Sequence, residues 1–598
     1  MPNRMVRIGG ASAGFIDSAI AVPQLLKAGV DYLAFDCMGE GNMPILARRL
    51  DEKSGTGYMA EFLEHLRANL GEIMAKGVRV VANAGGLDPR ECALAIEKLA
   101  AELGLKPVVA YVEGDNILSR ADALRATGYR DMFSGAPFPD KRITTANVYL
   151  GALPIAEALS RGAQIVVTGR VVDSAATLGP LIHEFGWSRD DYDMLSAGTL
   201  IGHLLECGAQ ASGGIFTDWE DVQDWANIGY PIAECHPDGT AIITKPENTG
   251  GLVSVGTVSE QLLYEVSDPQ RYFVPDVTCD FSEVRVEQVG ENRVRVSNAR
   301  GYPPTSTYKA LLTYDNGWRG SASFVVSGED AVRKVERIGQ ALIDRTQEML
   351  RQRNLGEWRE TRVETIGAEG SYGANAQSLA REVREVVCRI VADHDSPQAA
   401  GLLVSEQFTA GISMAPGNAC VPLGLGVTPL FRLFPVLIEK KLIEARVIIN
   451  GTETQVPIPS EGGFQDSQVK ELSLPQQATP ETPSVVHLRK LAWVRSGDKG
   501  NISNIAVIAR KPDYLPFLLA ALSEQAVAEW YAHLFPDGRP GEVHRYEAPS
   551  LNAVNFTLHA ALEGGITASL RFDPMGKALG QQLLRFPVPV SAAVAQQL

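Results

Sequence analysis

Three side chains that can hold and polarise a substrate follow a short β-branched run in the first third of the chain. The run 164–168 ends in Gly169, and Arg170, Asp173 and Ser174 come directly after it. A guanidinium is a planar fork that suits carboxylates and phosphates, so Arg170 is predicted to clamp the acid group or a phosphate of a substrate. Asp173 is a candidate catalytic carboxylate and Ser174 a candidate substrate ligand. The alternative is an internal salt bridge between Arg170 and Asp173.

A second group of reactive side chains lies on the predicted helix that follows. His203, Glu206 and Cys207 are spaced i, i+3 and i+4, which places them on one helical face. Zinc accepts all three residue types as ligands, and a histidine in this position can also act as a general acid or base. We predict a catalytic role for His203. The alternative is a buried histidine that is hydrogen-bonded on an apolar helix.

Carboxylates and an amide follow the third and fourth predicted strands. Asn83 and Asp88 come after one strand, and Glu113 and Asp115 come after the next. Carboxylates that converge at one sheet edge can bind a divalent metal or raise each other's pKa for acid–base catalysis. Glu113 is the candidate general base, and Asn83 is a candidate substrate ligand. The alternative is that these groups cap helices or pair with Arg170.

A glycine-rich stretch, residues 9–14, follows the first predicted strand and precedes a helix. Backbone N–H groups in such a loop can cradle a phosphate, so Gly10 and Ser12 are candidate substrate ligands. The stretch matches neither the G-x-G-x-x-G pattern nor a P-loop. A tight turn that requires small residues is the alternative.

The second predicted strand ends in the sequence 36–40. Cys37 stands beside a carboxylate that would raise the pKa of its thiol, so it is interpreted as a small apolar residue. Glu40 is the better candidate, as a base or as a residue that positions substrate.

Two polar turns complete the set of candidates. Lys245, Thr249 and Gly250 lie in a turn whose glycines permit close approach to a ligand, or which simply caps itself. Asp498 and Lys499 join two predicted strands near the C-terminus. They are interpreted as a hairpin turn with a solvated lysine, or as a contact that reaches across to the large domain or to a neighbouring subunit.

The elements that must position these residues alternate over the first 240 residues. Strands are predicted at 6–9, 32–36, 78–82, 108–112 and 165–168, and amphipathic helices lie between them. The stretch 143–160 is predicted to be helical throughout. Alternation of this kind indicates an α/β domain with a mainly parallel sheet, in which ligands bind at the carboxyl ends of the strands.

The chain changes character after residue 240. Short β-branched and aromatic segments indicate an α+β continuation, so residues 1–460 are predicted to form one large domain in which 240–460 can be a separate subdomain. Residues 461–485 include a stretch rich in proline and threonine and are predicted to be a linker. The order of elements in 486–598, including a strand at 566–572, predicts a small ferredoxin-like α+β domain.

Composition and charge restrict the function. The chain of 598 residues carries a net charge of −16, which argues against binding to nucleic acid or to an acidic membrane surface. Neither a secretory signal peptide nor a transmembrane segment is predicted. The seven cysteines are scattered with no C-x-x-C spacing, as is typical of reduced thiols. We therefore predict a cytoplasmic protein.

Several long stretches carry a family resemblance. They are VRIGGASAGF (6–15), DYLAFDCMGE (31–40), IVVTGRVVDSAATLGPLIHEFGW (165–187) and, in the small domain, RSGDKGNISNIAVIAR (495–510). On these stretches the chain resembles the acyclic terpene utilisation protein A family over almost its whole length. The resemblance implies a catabolic enzyme of acyclic terpenoid and related branched-acid breakdown, a route that uses coenzyme A thioesters. It transfers no catalytic residues.

The residues and the resemblance together give the functional hypothesis. We expect lyase or hydratase chemistry on a branched (3-hydroxy)acyl-CoA, with Glu113 or His203 as base and Arg170 as clamp. The substrate is a small molecule, and coenzyme A enters as part of it; a divalent metal is left open. Two alternatives are a non-catalytic acyl-CoA-binding or scaffold partner and a metal-dependent hydrolase. We expect a homo-oligomer, with the small domain either covering the large one or mediating self-association.

Overall fold

A sheet built from short aliphatic and β-branched strands forms the centre of the large domain. The computed structural model describes residues 4–14, 17–53, 55–419 and 426–598. The elements of the first part are β1 (Val6–Ala13), α1 (Ala21–Ala28), β2 (Tyr32–Asp36), α2 (Asn42–Asp51), α3 (Ala60–Lys76), β3 (Arg79–Ala82), α4 (Pro89–Glu102), β4 (Val109–Glu113), α5 (Ala121–Ala126), β5 (Ile143–Val148), α6 (Leu153–Ser160), β6 (Ile165–Thr168), α7 (Ala175–Phe185) and α8 (Tyr192–Leu205).

Five of these strands pair in parallel in the order β1-β2-β3-β6-β4. Buried aliphatic residues on the two faces of the sheet belong to two separate core clusters, because helices cover both faces. The carboxyl ends of all five strands therefore meet at one edge. The predicted α/β class is confirmed.

The middle part of the chain extends this sheet and builds two more, one of three strands and one of five. Its elements are β7 (Ile232–Cys235), β8 (Ala241–Thr244), α9 (Val255–Leu263), β9 (Tyr272–Phe273), β10 (Thr278–Asp280), β11 (Arg285–Gly290), β12 (Arg293–Ser297), β13 (Arg300–Tyr302), β14 (Thr307–Ser327), α10 (Ala331–Gln352), β15 (Glu360–Ile366), β16 (Glu385–His394), α11 (Pro397–Ser413), β17 (Gly426–Glu439), β18 (Ala445–Ile449) and β19 (Thr452–Val456). Antiparallel strands flank the parallel five on both sides, giving the eleven-stranded order β11-β12-β8-β7-β1-β2-β3-β6-β4-β18-β19. Strands from beyond residue 240 thus share a sheet with the first domain.

The three-stranded sheet has the order β13-β10-β9. The five-stranded sheet is antiparallel and has the order β15-β16-β14-β17, with β5 paired to β14. The helix predicted over 143–160 is wrong for its first six residues. Ile143–Val148 form a buried strand, and only Leu153–Ser160 are helical. The β-branched residues of β5 suit a strand, but their partner β14 lies more than 150 residues further along the chain, which local periodicity cannot reveal.

The small domain is an antiparallel sheet of four strands, in the order β21-β22-β24-β23, with helices packed against it. Its elements are β20 (Ser484–His487), β21 (Ala492–Lys499), β22 (Ile502–Ala509), α12 (Leu515–Ala521), α13 (Glu524–Trp530), β23 (Val543–Ala548), β24 (Ala553–Leu558), α14 (Leu579–Leu583), β25 (Pro587–Val590) and α15 (Ala592–Ala595). The predicted strand at 566–572 is instead a run of turns, which leads into α14.

Buried hydrogen bonds fix the small domain against the large one. The Thr217 hydroxyl exchanges hydrogen bonds of 3.0 Å with the backbone N–H and the carbonyl of Val494 in β21. The amides of Asn504 and Asn555 both donate to the carbonyl of Val266. Because unmade hydrogen bonds are costly once buried, this interface holds the β21–β22 hairpin in a defined place.

Two further findings concern expectations from composition. Among the described residues, no helix has the length and apolar character that crossing a bilayer requires. The six cysteines within the described ranges are all free thiols, while Cys420 lies outside those ranges.

Candidate active site

Side chains at the carboxyl ends of β1, β2 and β3 hold one another. The Asn83 amide donates to Asp36 Oδ1 at 2.6 Å and accepts from the backbone N–H of Cys37 at 2.6 Å. The Ser12 hydroxyl donates to the Asp36 carbonyl at 3.0 Å. Ser12 and Asn83, predicted as substrate ligands, are buried residues whose hydrogen bonds position the end of β2.

Asp36 is the most perturbed carboxyl at this edge. Burial and the nearby Asp173 carboxylate raise its pKa to about 8, with Arg170 acting in the opposite direction. A carboxylic acid that stays protonated near neutral pH can donate a proton or a hydrogen bond.

Arg170 is fixed at the end of β6 through both its backbone and its guanidinium. Its backbone N–H donates to Asp115 at 2.8 Å, and Asp115 also accepts from the Asn147 amide at 2.7 Å. The guanidinium donates to the Met38 carbonyl and, at 2.8 Å, to Asp173. Burial alone would lower the pKa of Arg170, but Asp173 raises it above its ordinary value. Arg170 is therefore a held, permanent cation, and the predicted alternative of a salt bridge to Asp173 is present.

Lys309 from β14 brings a second cation to the same edge. Its ammonium lies 2.7 Å from Glu40 Oε1 and 4.9 Å from the centre of the Tyr149 ring, whose other neighbour is the Arg170 guanidinium at 4.2 Å. Burial would raise the pKa of Glu40, but Lys309 and Lys499 lower it to about 2. Glu40 is thus an ionised partner of cations and a poor base.

The small domain supplies two more lysines. The β21–β22 hairpin places the Lys499 ammonium 2.8 Å from Glu265, which also lies 3.1 Å from the Lys577 ammonium. Lys577 lies 3.2 Å from Asp498 as well. Burial raises the pKa of Asp498 to about 6, although Lys577 opposes this. The contact across the domains, predicted as the alternative for this turn, is present at Lys499, which pairs with Glu265, whereas Asp498 pairs with Lys577 of its own domain.

Solvent reaches part of this group of charged side chains. Burial is the largest influence on the pKa values of Glu40, Lys309 and Lys499, yet these side chains keep 21, 25 and 34 % of their surface accessible. Side chains that are largely surrounded by protein and still reached by water form a partly solvent-accessible cluster where the two domains meet. We call it the interdomain recess, and its residues are Asp36, Glu40, Tyr149, Arg170, Asp173, Glu265, Lys309, Asp498, Lys499 and Lys577.

His203 is held by two acceptors behind the recess. Its Nδ1 lies 3.0 Å from Glu206 and its Nε2 lies 3.2 Å from the Leu262 carbonyl. Burial lowers the pKa of His203, but Glu206 outweighs this and raises it. Both ring nitrogens are engaged with oxygen acceptors, so this geometry favours the buried, hydrogen-bonded histidine over the predicted acid or base.

The predicted metal ligands do not form a cluster. Within the described ranges, one group of histidine and carboxylate ligand atoms lies within 4.8 Å of one another, and it is Glu542, His544 and His559 in the small domain. His203, Glu206 and Cys207 are outside that group. Burial and Glu206 raise the pKa of the Cys207 thiol well above its usual value, which disfavours the thiolate that zinc requires.

The predicted convergence of carboxylates is also corrected. Glu113 is directed to the neighbouring antiparallel strand, where it pairs with Arg446 at 3.2 Å. Asp88 accepts from the backbone N–H of Glu91 as the N-cap of α4. Of these three carboxylates, only Asp115 contacts Arg170, and it accepts the backbone N–H of Arg170 rather than the guanidinium. Strand β18 takes Glu113 away from the edge, and this strand comes from residues more than 300 positions later.

Five further candidates, Gly10, Ser174 and the turn residues Lys245, Thr249 and Gly250, lie in packed surroundings. Gly10 is inside β1 rather than in a loop, and a Cβ there would lie 2.4 Å from the Leu205 carbonyl. Ser174 is buried, and its hydroxyl has no hydrogen-bond partner within the described residues. Lys245 donates to the Thr249 carbonyl at 2.7 Å, and the Thr249 hydroxyl donates to Pro246 at 2.6 Å. The 245–250 turn therefore satisfies its own polar groups, as its alternative interpretation stated.

Lys309, Glu265 and Lys577 were missed from the sequence. Glu265 has a backbone φ of +58°, and it follows Tyr264 at the end of α9, where neither helical periodicity nor a motif marks it. Lys309 alternates with inward apolar residues of β14, which is also the pattern of a solvated strand face. Only the distant partners reveal their role.

The recess can perform acid–base chemistry on a substrate that develops negative charge. It combines permanent cations with a carboxyl that is protonated at neutral pH and a second carboxyl that titrates near pH 6. Cations held in a site of low dielectric stabilise an oxyanion more strongly than they do in water.

Two family models match the chain. The model for acyclic terpene utilisation family protein AtuA matches residues 6–449, and that for the AtuA ferredoxin-like domain matches residues 486–589. No curated protein and no solved structure matches it.

Proposed function

The chain belongs to the acyclic terpene utilisation family AtuA, and we propose that it is a catabolic enzyme that acts on a branched (3-hydroxy)acyl-CoA by lyase or hydratase chemistry. The family supports a role in acyclic terpene utilisation. The type of reaction is argued from the residues of the interdomain recess, and the thioester from the chemistry that those residues suit.

One observation carries the proposal. Burial raises the pKa of the Asp36 carboxyl, in the large domain, to about 8 and that of the Asp498 carboxyl, in the small domain, to about 6. At neutral pH the first is an acid and the second a base. Environments that separate the pKa values of two carboxyls in this way assign general-acid and general-base roles.

In the dehydration direction of hydratase chemistry, the Asp498 carboxylate removes the proton from the carbon next to the thioester carbonyl. Lys309, Lys499 and Arg170 stabilise the enolate oxygen that results. Asp36 then gives its proton to the departing 3-hydroxyl, which leaves as water while the carbon–carbon double bond forms. Hydration is the reverse of these steps.

In the lyase direction, Asp498 removes the proton of the 3-hydroxyl instead. The bond between the second and third carbons breaks, the hydroxyl carbon becomes a carbonyl, and the same cations stabilise the enolate of the shorter thioester. Asp36 supplies the proton that converts this enolate to product. Both directions need the same acid, base and cationic centre.

The first test is a thermal melt of the full chain with coenzyme A, branched acyl-CoA thioesters and the corresponding free acids. A ligand at about 100 times its Kd stabilises the folded state by about 2.7 kcal/mol. We expect a higher midpoint with thioesters than with free acids, followed by loss or gain of water, or chain cleavage, in the mass spectrum of the products. A thioester that shifts the melt but is never turned over would support the non-catalytic acyl-CoA-binding alternative.

The second test removes the base. Asp498→Asn keeps the size of the side chain, and we expect a rate lower by about 10²- to 10⁴-fold, as is usual for a general base. Asp513→Asn, an exposed aspartate of the same domain, is the control. An Asp498→Asn protein that turns over substrate at the wild-type rate would refute the assignment.

We also propose that the protein works in the cytoplasm and as a homo-oligomer. Free thiols at Cys37, Cys92 and Cys235, each with a pKa raised by burial, suit a reducing compartment. Sedimentation of the full chain at several concentrations tests the oligomer.

A further inference from the structure

A second cavity lies where the small domain meets the antiparallel sheet of the large domain. It has a volume of about 610 Å³, and its walls are the edge strand β15, the first half of α10, the segment 366–372 and the small-domain residues around α14. Close-packed protein interiors contain few voids larger than a water molecule. A cavity of this size at a domain interface has the dimensions of a small-molecule site.

The walls of the cavity are mainly apolar. Val332, Val363, Leu562 and Leu579 line its depth, and the Phe572 ring keeps 42 % of its surface accessible, so the cavity opens to solvent beside this ring. Leaving such surface against water is unfavourable by about 25 cal/mol per Å². An apolar ligand would relieve that cost.

The charged groups of the walls are already paired. Arg381 donates to both oxygens of Glu336 at 2.8 and 3.0 Å, and Arg571 lies 3.1 Å from Glu563. Burial lowers the pKa of His533, whose Nε2 lies 2.8 Å from the Ser371 carbonyl. These cations and this histidine have partners in the protein, so nothing on these walls favours a charged ligand.

One short segment joins the cavity to the interdomain recess. Asp573 lines the cavity, and its carboxylate accepts from the backbone N–H groups of Lys577 and Ala578 at 3.0 and 2.9 Å. The Lys577 side chain then extends to Glu265 and Asp498 in the recess. The turn that forms one wall of the cavity therefore carries a lysine of the recess.

We propose that this cavity binds an aliphatic chain, either the acyl chain of the thioester substrate or a separate small hydrocarbon molecule. The proposal does not depend on turnover, because binding alone tests it. Occupancy fixes the 571–579 segment and with it the position of Lys577.

The test uses the full chain with cis-parinaric acid, whose fluorescence rises in an apolar site, and with decanol and geraniol as competitors. We expect saturable binding of the probe and its displacement by both alcohols. Ala368→Trp fills the cavity and should weaken probe binding at least tenfold, and Thr365→Phe from β15 does the same if the first variant does not fold. Leu94→Trp, on the exposed face of α4, is the matched control and should bind as wild type.

Two further measurements distinguish whether the bound aliphatic chain belongs to the substrate or to a separate molecule. If it is the substrate's own, a branched acyl-CoA displaces the probe, and the filled variants raise KM for long acyl chains while sparing short ones. If it is a separate molecule, free alcohol changes the rate at saturating substrate and acyl-CoA leaves the probe bound. Absence of probe binding to the wild type, or unchanged binding to a folded, cavity-filled variant, overturns the proposal. The outcome of the Asp498→Asn rate measurement is independent of both results.

Discussion

Two clusters of charged side chains bridge the large and small domains, and they are built on different plans. In the first, Arg319 of β14 forms a bidentate pair with Asp393 of β16, at 2.7 and 2.9 Å. The same guanidinium donates to the carbonyls of Ala568 and Ser569 in the small domain. The two side chains are only 11 and 3 % exposed. Every part of this cluster has a partner.

In the interdomain recess, single charged side chains are shared between two partners instead of forming separate pairs. Glu265 is shared between Lys499 and Lys577, and Lys577 is shared between Glu265 and Asp498. The carboxyls of Asp36 and Asp498 have raised pKa values. Water reaches several of these side chains.

The difference between the two clusters distinguishes charges that are buried to stabilise the structure from charges that are buried to serve a function. A closed pair such as Arg319–Asp393 leaves nothing for a ligand, and its removal leaves a buried charge without a partner. A crowded recess stores unfavourable interactions that a ligand or a proton transfer can relieve, which is typical of functional sites. Each of the following changes tests one side of this contrast.

The largest effect is expected at the closed pair. Arg319→Met leaves Asp393 buried and unpaired, which typically costs about 3–5 kcal/mol. Urea unfolding followed by circular dichroism should show the loss, while the rate per folded molecule stays at the wild-type value. Arg333→Met removes an exposed ion pair on α10 and should cost less than about 1 kcal/mol. Equally small losses in the free energy of unfolding of both variants would contradict the structural role of the closed pair.

The opposite result is expected at Lys499. Lys499→Met removes one cation from the oxyanion site, and loss of one such group typically costs about 10²- to 10³-fold in rate. Stability should change little, because Glu265 keeps Lys577 as a partner. Lys511→Met, an exposed lysine of the same domain, is the control for both measurements. A stable, fully active Lys499→Met protein would remove the small domain from the site.

The sequence predicted the parts of this arrangement that are local. Short apolar runs located β2, β3 and β6, and the parallel pairing that they imply brought Asn83 and Arg170 to one edge. Glu40 was predicted from the same logic. What these residues share is that their role follows from the few residues before them.

The parts that were missed depend on distant partners. Lys309, which was missed, meets Glu40 across 269 positions, and Glu265, which was also missed, meets Lys499 across 234. His203 and Glu113 were predicted as catalytic from residue type alone, and each proved to be paired by an acceptor or a cation that the local sequence does not show. The displaced strand β5 has the same cause, since its partner β14 comes from the next part of the chain.

A smaller effect, and a more diagnostic one, concerns pH. Because the protonated form of Asp36 is the acid, the rate should fall tenfold per pH unit above about pH 8. Asp36→Asn should be slower and lack this alkaline limb. The raised pKa also means that the folded state retains a proton that the unfolded state loses near pH 4, so the free energy of unfolding contributed by Asp36 should fall as pH rises from about 4 to about 8. Asp573→Asn should keep the alkaline limb, and a limb that persisted in Asp36→Asn would assign it to another group.

The smallest effect is expected at the 245–250 turn, which the sequence indicated as a candidate ligand site. Lys245 donates to the Thr249 carbonyl at 2.7 Å, and a Cβ at Gly250 would lie 2.0 Å from the Asp224 carbonyl, so both residues serve the turn itself. Lys245→Met should cost about 1 kcal/mol, as does loss of a single hydrogen bond, and should leave the rate and KM unchanged. Substrate titrations of Lys245→Met and Lys499→Met, run in parallel, measure the rate and KM of each variant. A raised KM in Lys245→Met with normal stability would show that a self-satisfied turn can still bind substrate, and that the contrast between closed and crowded clusters does not identify the site.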